Sequence, residues 1–319
     1  MVRTASRATA PIALSAILLM VVAPSAHAAG HGTFRIPTPY SEPLELTTGP
    51  DGAVWFTEQA GNNIGRIAMD GTVTEYPLPT VSSFPAGITV GSDGALWFTE
   101  EADRIGRVST TGVITEYPTV RSPSGIATGP DGALWFTQPG SNKIGRMSTS
   151  GVLTEFLIPT PYSVSFSITA GPDGALWFTE ARGDKVARIS TGGLITEFAV
   201  PTVGASPNGI TTGPDGALWF SEWSADKIGR ISVEGSITEY PIPTPDSQPL
   251  DIAAGPDGAL WFTESNSRHP GIGRISTSGV VTEFRMPAGS GPWGITSGPR
   301  HAVWITEEAA DQIVAYRTL

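Results

Sequence analysis

Residues 209–222 read Gly-Ile-Thr-Thr-Gly-Pro-Asp-Gly-Ala-Leu-Trp-Phe-Ser-Glu, and this stretch decides the fold. A short strand, Gly209 to Thr212, runs into the turn Gly213-Pro214-Asp215-Gly216. Proline presets φ there, aspartate tolerates the next position, and glycine takes the one that needs a positive φ. Ala217 to Glu222 follows as a second strand, apolar on both faces, as in a sheet covered on both sides. Lys227 to Ser232 makes a third strand, Glu234-Gly235 a turn, and Ser236 to Tyr240 a fourth. Pro241 and Pro243 end it, because proline cannot donate to a ladder. The unit is a four-stranded antiparallel meander with no room for a helix.

The same wording recurs along the chain. Trp55, Trp97, Trp135, Trp177, Trp219, Trp261 and Trp304 each sit in a version of G-P-D-G-A-L-W-F-T-E, at separations of 42, 38, 42, 42, 42 and 43 residues. A meander of this period cannot bury its own faces and stacks against its neighbours, which predicts an all-β, seven-bladed β-propeller. The seventh copy runs from Gly294 to Tyr316 without a final T-E-[YF] strand. Thr33-Phe34-Arg35-Ile36-Pro37 carries that wording with no blade before it. Residues 33–37 are therefore expected to add the outer strand to the C-terminal blade and close the ring.

Ahead of the repeats, Arg3 and Arg7 precede an apolar run from Ile12 to Ala23, then Pro24 and Ala26-His27-Ala28. That layout predicts a secretory signal peptide over residues 1–28. Residues 29–319 are then a single, secreted propeller domain, expected to be a monomer without a membrane span. The chain has 19 Lys+Arg against 30 Asp+Glu, a net charge of −11, and losing Arg3 and Arg7 takes it to −13. Such a balance argues against nucleic acid as a partner. With no cysteine, disulfides and thiolate chemistry are excluded and stability must come from packing.

Residues repeated in nearly every blade are read first as scaffold. Glu58, Glu100, Glu180, Glu222, Glu264 and Glu307 share one slot, which Gln138 fills in the third blade. Arg66, Arg107, Arg146, Arg188, Arg230 and Arg274 follow seven to ten residues later, and the Glu and Arg at the ends of each hairpin loop are expected to pair or to brace backbone. Function is sought in departures from the repeat on the face where the W-F-T-E segments end, at the mouth of the central channel. Those departures nominate Leu250, Asp251, Trp293, Trp223 and Glu42 as ligand-binding candidates. Trp223 and Trp293 are the two tryptophans outside the repeat slot and could stack on a ligand ring. Of the four histidines, only His269 falls on that face, where it is a candidate general base. No Ser-His-Asp set, HExxH motif or phosphate loop is present.

The wording P-x-G-I-T-x-G-P-D-G-A-L-W-F-T-E followed by K-I-G-R-I-S-T-S-G-x-I-T-E-Y-P-I-P-T-P, best seen in 125–151 and 209–245, resembles the virginiamycin B lyase (streptogramin B lyase) family. The resemblance covers residues 33–319. It implies a seven-bladed propeller and a Mg²⁺-dependent elimination that linearises streptogramin B antibiotics at an ester, with a histidine in proton transfer and a carboxylate-held metal polarising a carbonyl. The family's two working histidines follow proline at the start of the sixth and seventh blades. The matching positions here are Leu250 and Trp293, and the acid two residues before the second histidine matches Gly291. Of the metal-side glutamates, the one matching Glu308 is retained, and Glu307 beside it is a second metal candidate.

Three readings follow. The first is a secreted binding module on the lyase scaffold, taking a small molecule or a cell-envelope ligand at the channel mouth. The second is an active Mg²⁺-dependent lyase using His269 with Glu307, Glu308 or Glu264. The third is a propeller of the cell envelope whose top face meets a protein partner.

Overall fold

A computed structural model describes residues 31–119 and 121–318, so the predicted signal peptide lies outside the described residues. Seven four-stranded antiparallel sheets follow one another in a ring, the β-propeller that the repeat predicts. Blade 1 takes strands Pro43–Thr48, Val54–Glu58, Asn63–Ile67 and Val73–Pro77, ordered from the channel outward. Blades 2 to 6 repeat this order, starting at Pro85, Ile126, Ile168, Pro207 and Pro249. Blade 7 takes Pro292–Gly298, Ala302–Glu307 and Gln312–Arg317 from the end of the chain, and its outer strand is His31–Arg35. That strand begins two residues earlier than expected and stops before Ile36, whose N–H reaches Asp311 O at 3.1 Å. Pro37 has no N–H with which to continue the ladder. Among the described residues, the one helical element is a 3₁₀ turn, Glu308–Ala310.

The core is not inside the blades but between them. Each W-F-T-E tryptophan packs on the second and third strands of the next blade: Trp177 on Leu218, Phe220 and Ile231, for example, and Trp219 on Leu260, Phe262 and Ile275. The ring closes in the same terms, with Trp304 packed on Val54, Phe56 and Ile67 and stacked on Phe34 at 5.1 Å between centroids. An isolated blade would expose both faces, so the blades are stable only in each other's company.

A second device ties the inner strands together. The Thr or Ser of each W-F-[TS]-E segment is fully buried, and its hydroxyl donates to a carbonyl of the following blade. Thr57 donates to Ala86 O at 2.7 Å, Ser221 to Leu250 O at 2.6 Å and Thr263 to Trp293 O at 2.7 Å. Thr306 donates to Leu44 O at 2.7 Å and thereby joins the last blade to the first. Each hydroxyl also accepts an inner-strand N–H of its own blade, such as Asp251 to Thr263 at 3.1 Å and Gly294 to Thr306 at 2.8 Å.

The arginines do not pair with the W-F-T-E glutamates as expected. Register places Arg230 opposite Trp219, at the turn end of the hairpin, and its Nε donates to Asp215 Oδ2 at 2.7 Å. Trp219 Nε1 donates to the other oxygen of Asp215 at 3.0 Å. The same Asp–Trp–Arg set forms in blades 1 to 6, starting from Asp51, Asp93, Asp131, Asp173, Asp215 and Asp257. Burial alone would raise the Asp215 carboxyl, but the bonds from Trp219, Arg230 and Ala217 outweigh it and hold it below its usual range. In blade 7 Arg300 and His301 replace Asp-Gly, and Trp304 Nε1 donates instead to Pro299 O at 3.2 Å.

The hydroxyl latch gives a direct test. Thr306→Val leaves Leu44 O and Gly294 N–H without their partner in a buried site, and unfolding free energy should fall by about 2 kcal/mol. Thr306→Ser, which copies Ser221, should lie within about 0.5 kcal/mol of the parent by denaturant titration.

Candidate functional site

The inner strands of blades 1, 2, 5, 6 and 7 begin with a proline followed by the residue whose carbonyl is latched, and in blade 3 the same pair, Pro123-Ser124, precedes the strand. These latched residues are Leu44, Ala86, Ser124, Phe166, Asn208, Leu250 and Trp293, and they form the rim of the central channel. Just before several of them the chain takes a positive φ, as at Glu42 (φ 51°) and Gln248 (φ 52°). Asp226 pins the lead-in to blade 6, accepting from Asp246 N–H at 2.7 Å and Gln248 N–H at 3.1 Å. The rim side chains are thus the repeat's variable positions held by an invariant backbone arrangement.

Inside the rim lies a cavity of about 600 Å³. Leu44, Phe166, Leu250 and Trp293 supply its apolar surface, and Glu45, Glu101, Asp251 and Glu308 its carboxylates. Among the described residues, no lysine, arginine or histidine lines it. Burial, then the nearby charge of Asp251, push the Glu45 carboxyl well above its ordinary value. Burial also pushes Asp251 up to about 6, against the opposing N–H groups of Ile295 and Ile252.

Of the sequence-predicted ligand residues, Leu250, Asp251 and Trp293 line this cavity. Trp223 and Glu42 do not; Trp223 is 38% exposed on the outer loop of blade 5, and Glu42 is exposed on the lead-in to blade 1. His269 is exposed in the loop of blade 6, its N–H donating to Asn266 O at 3.0 Å, and does not line the cavity. Glu45 was missed. It occupies a slot that reads glycine in four blades (Gly87, Gly125, Gly209, Gly294), and comparing the blades column by column would have exposed it beside Asp251.

The candidate metal residues separate. Glu308 faces the cavity mouth, where burial and the charge of Glu42 raise its carboxyl. Glu307 is buried inside blade 7 and accepts a hydrogen bond from Gln312. Gly291 has φ 59°, and a Cβ there would stand 2.9 Å from Ala309 Cβ and 3.0 Å from its nitrogen, so a carboxylate side chain has no space at that position. Among the described residues no three Asp, Glu or His side chains converge on a point. The candidate pair Glu307 and Glu308 therefore does not form one metal site, and no chemical step is derived through a metal.

The remaining W-F-T-E glutamates are buried scaffold. Glu222 is enclosed beside Glu239, which is already committed to Lys227 Nζ at 2.9 Å and Thr202 N–H at 2.9 Å. Burial, then the charge of Glu239, push Glu222 up to about 8, and Glu180 and Glu264 reach about 8 for the same two reasons. Gln138 is the uncharged version of this slot.

The fold and site together define a closed seven-bladed propeller whose repeat scaffold presents an acidic, histidine-free cavity at one channel mouth. The model of the virginiamycin B lyase family matches residues 26–166, 100–271 and 252–318, and the chain belongs to that family. Virginiamycin B lyase from Staphylococcus aureus has a solved structure with a TM-score of 0.85 at 39% identity, covering 91% of this chain and 99% of that one. A catalytically inactive histidine-to-alanine variant of that enzyme with quinupristin aligns at 38% identity, a TM-score of 0.86, and 91% and 99% coverage. Virginiamycin B lyase of Saccharopolyspora erythraea is 52% identical over 83 residues, 26% of this chain. The match spans little more than a quarter of that relative's length, 28%. An extracellular domain of a two-component system from B. thetaiotaomicron, at 17% identity and a TM-score of 0.69, shares the fold alone.

The buried glutamates generate a pH prediction. Folded Glu222 keeps its proton to about 8, whereas the unfolded chain releases it near 4.5, the ordinary value for glutamate. The folded state therefore holds more protons in that window, and this group's contribution to stability is lost as pH rises through it. Glu222→Gln should be close to neutral at pH 5 and stabilising by on the order of 1 kcal/mol at pH 8, measured by denaturant unfolding at both values.

Proposed function

We propose that this protein is an exported, ligand-binding member of the virginiamycin B lyase family that does not carry out the family's elimination. One observation carries the reading: among the described residues, no imidazole lines the channel cavity. Its two rim positions that match the family's histidines are Leu250 and Trp293, and neither side chain can move a proton at neutral pH. What remains is a cavity of about 600 Å³ with apolar walls and a few polar groups, the usual constitution of a small-molecule site. Trp293 supplies a flat surface for a ring, and the latch from Thr263 holds its backbone in place.

Export rests on residues 1–28, whose basic start, apolar run and Ala-His-Ala ending read as a cleavable leader. Among the described residues no helix is long and apolar enough to cross a membrane.

Two experiments test this. Protein incubated with quinupristin and Mg²⁺, then analysed by mass spectrometry, should return the intact antibiotic after many enzyme equivalents of time. Appearance of the linear product would overturn the non-lyase reading, and loss of that product in His269→Ala would then assign the base. Amino-terminal sequencing of the protein recovered outside the producing cells should begin at Ala29; a chain starting at Met1 would contradict the leader.

A further inference from the structure

Glu45 and Asp251 are not dictated by the repeat. Their slot is glycine in four blades because it is crowded: a Cβ on Gly125 would lie 2.3 Å from Phe166 O, and one on Gly294 2.4 Å from Leu44 O. Two blades nevertheless place a carboxylate at this slot, and those blades flank blade 7 on either side.

Both carboxylates lean over the same piece of blade 7. Asp251 Oδ2 accepts the Ile295 N–H at 2.9 Å. Glu45 Oε2 lies 3.2 Å from where a Cβ on Gly294 would stand. The Glu45 side chain is half-buried, receives no hydrogen bond among the described residues and faces the cavity. Two neighbouring carboxylates repel each other, and a cation between them relieves that repulsion. The cavity wall adds Glu101 and Glu308 and, among the described residues, no positive side chain.

The donor set discriminates between kinds of cation. Ca²⁺ takes six to eight oxygens, and Mg²⁺ is held by one or two carboxylates with water completing its octahedron, so two carboxylates alone leave either ion largely to water. No third acidic or histidine ligand converges here among the described residues. An ammonium group needs only a few acceptors and gains from an aromatic face. Trp293 immediately precedes Gly294 and lines the same cavity.

We propose that the cavity binds an amine-bearing ligand, its ammonium group held between Glu45 and Asp251 beside the Trp293 indole. This rests on the reading of the cavity as a ligand site and names the class of ligand.

The test is calorimetric titration of the full-length mature protein with benzylammonium and with benzyl alcohol, its neutral counterpart of nearly the same shape. Benzylammonium should bind at least about tenfold more tightly, a difference typical of a desolvated charge pair. In the Glu45→Gln, Asp251→Asn double variant that preference should vanish. Glu45→Gly with Asp251→Gly restores the residue four other blades carry, so it keeps the fold and should abolish the preference equally. Equal affinity of the parent for the two probes would overturn the amine assignment while leaving the cavity a binding site. Binding of neither probe would overturn both readings. Saturation by Mg²⁺ alone, with benzylammonium excluded, would make the pair a metal site and also overturn the assignment.

Discussion

A single buried hydroxyl per blade holds the arrangement together. It accepts an N–H from its own inner strand and donates to a carbonyl of the next, so every blade is registered against its neighbour by a directional bond. Apolar packing of the tryptophans supplies most of the attraction between blades, but that force is non-directional. Hydrogen bonds of 2.6 to 3.0 Å set the angle and height at which one sheet meets the next. The seventh bond, from Thr306 to Leu44, makes the ring continuous although its two ends lie 262 residues apart.

The latch also explains how the blades of this chain carry different rim residues on one backbone. The carbonyl it captures belongs to the residue after the proline, and that residue's side chain points to the channel rim. Backbone geometry is therefore fixed by a hydroxyl that never changes its chemistry, while the rim side chain is free to be leucine, asparagine, phenylalanine or tryptophan. Leu250 and Trp293 have latched carbonyls like the other rim residues, and Glu45 and Asp251 stand at a slot that four blades leave as glycine.

Much of this was legible in the sequence. The period of the tryptophans, the G-P-D-G turns and the proline stops determine four strands per unit and seven units, because each is a local signal of backbone geometry. Leu250, Asp251 and Trp293 were found because they break a repeat at its channel end. What the repeat could not convey is which side chains meet across a strand pair. Arg230 sits opposite Trp219 in the register, which turns it to the Asp215 turn and away from Glu222. Trp223 and His269 read as channel residues because their loops end on the correct face, yet those loops lie outside the cavity wall. Glu45 is hard to read from the sequence because it lies three residues beyond Glu42, past the proline that marks the start of the strand. Its importance depends on Asp251, 206 residues away in sequence and one blade removed in space.

Amide hydrogen exchange resolved to single residues addresses the latch most directly. The N–H groups of Asp251 and Gly294, which the hydroxyls of Thr263 and Thr306 accept, should exchange only through unfolding of the whole ring, as slowly as the most protected strand of any blade. Exchange of these two amides at the rate of the exposed outer-strand turns would show that the hydroxyls do not hold the blades, and the account of how the rim is positioned would fail.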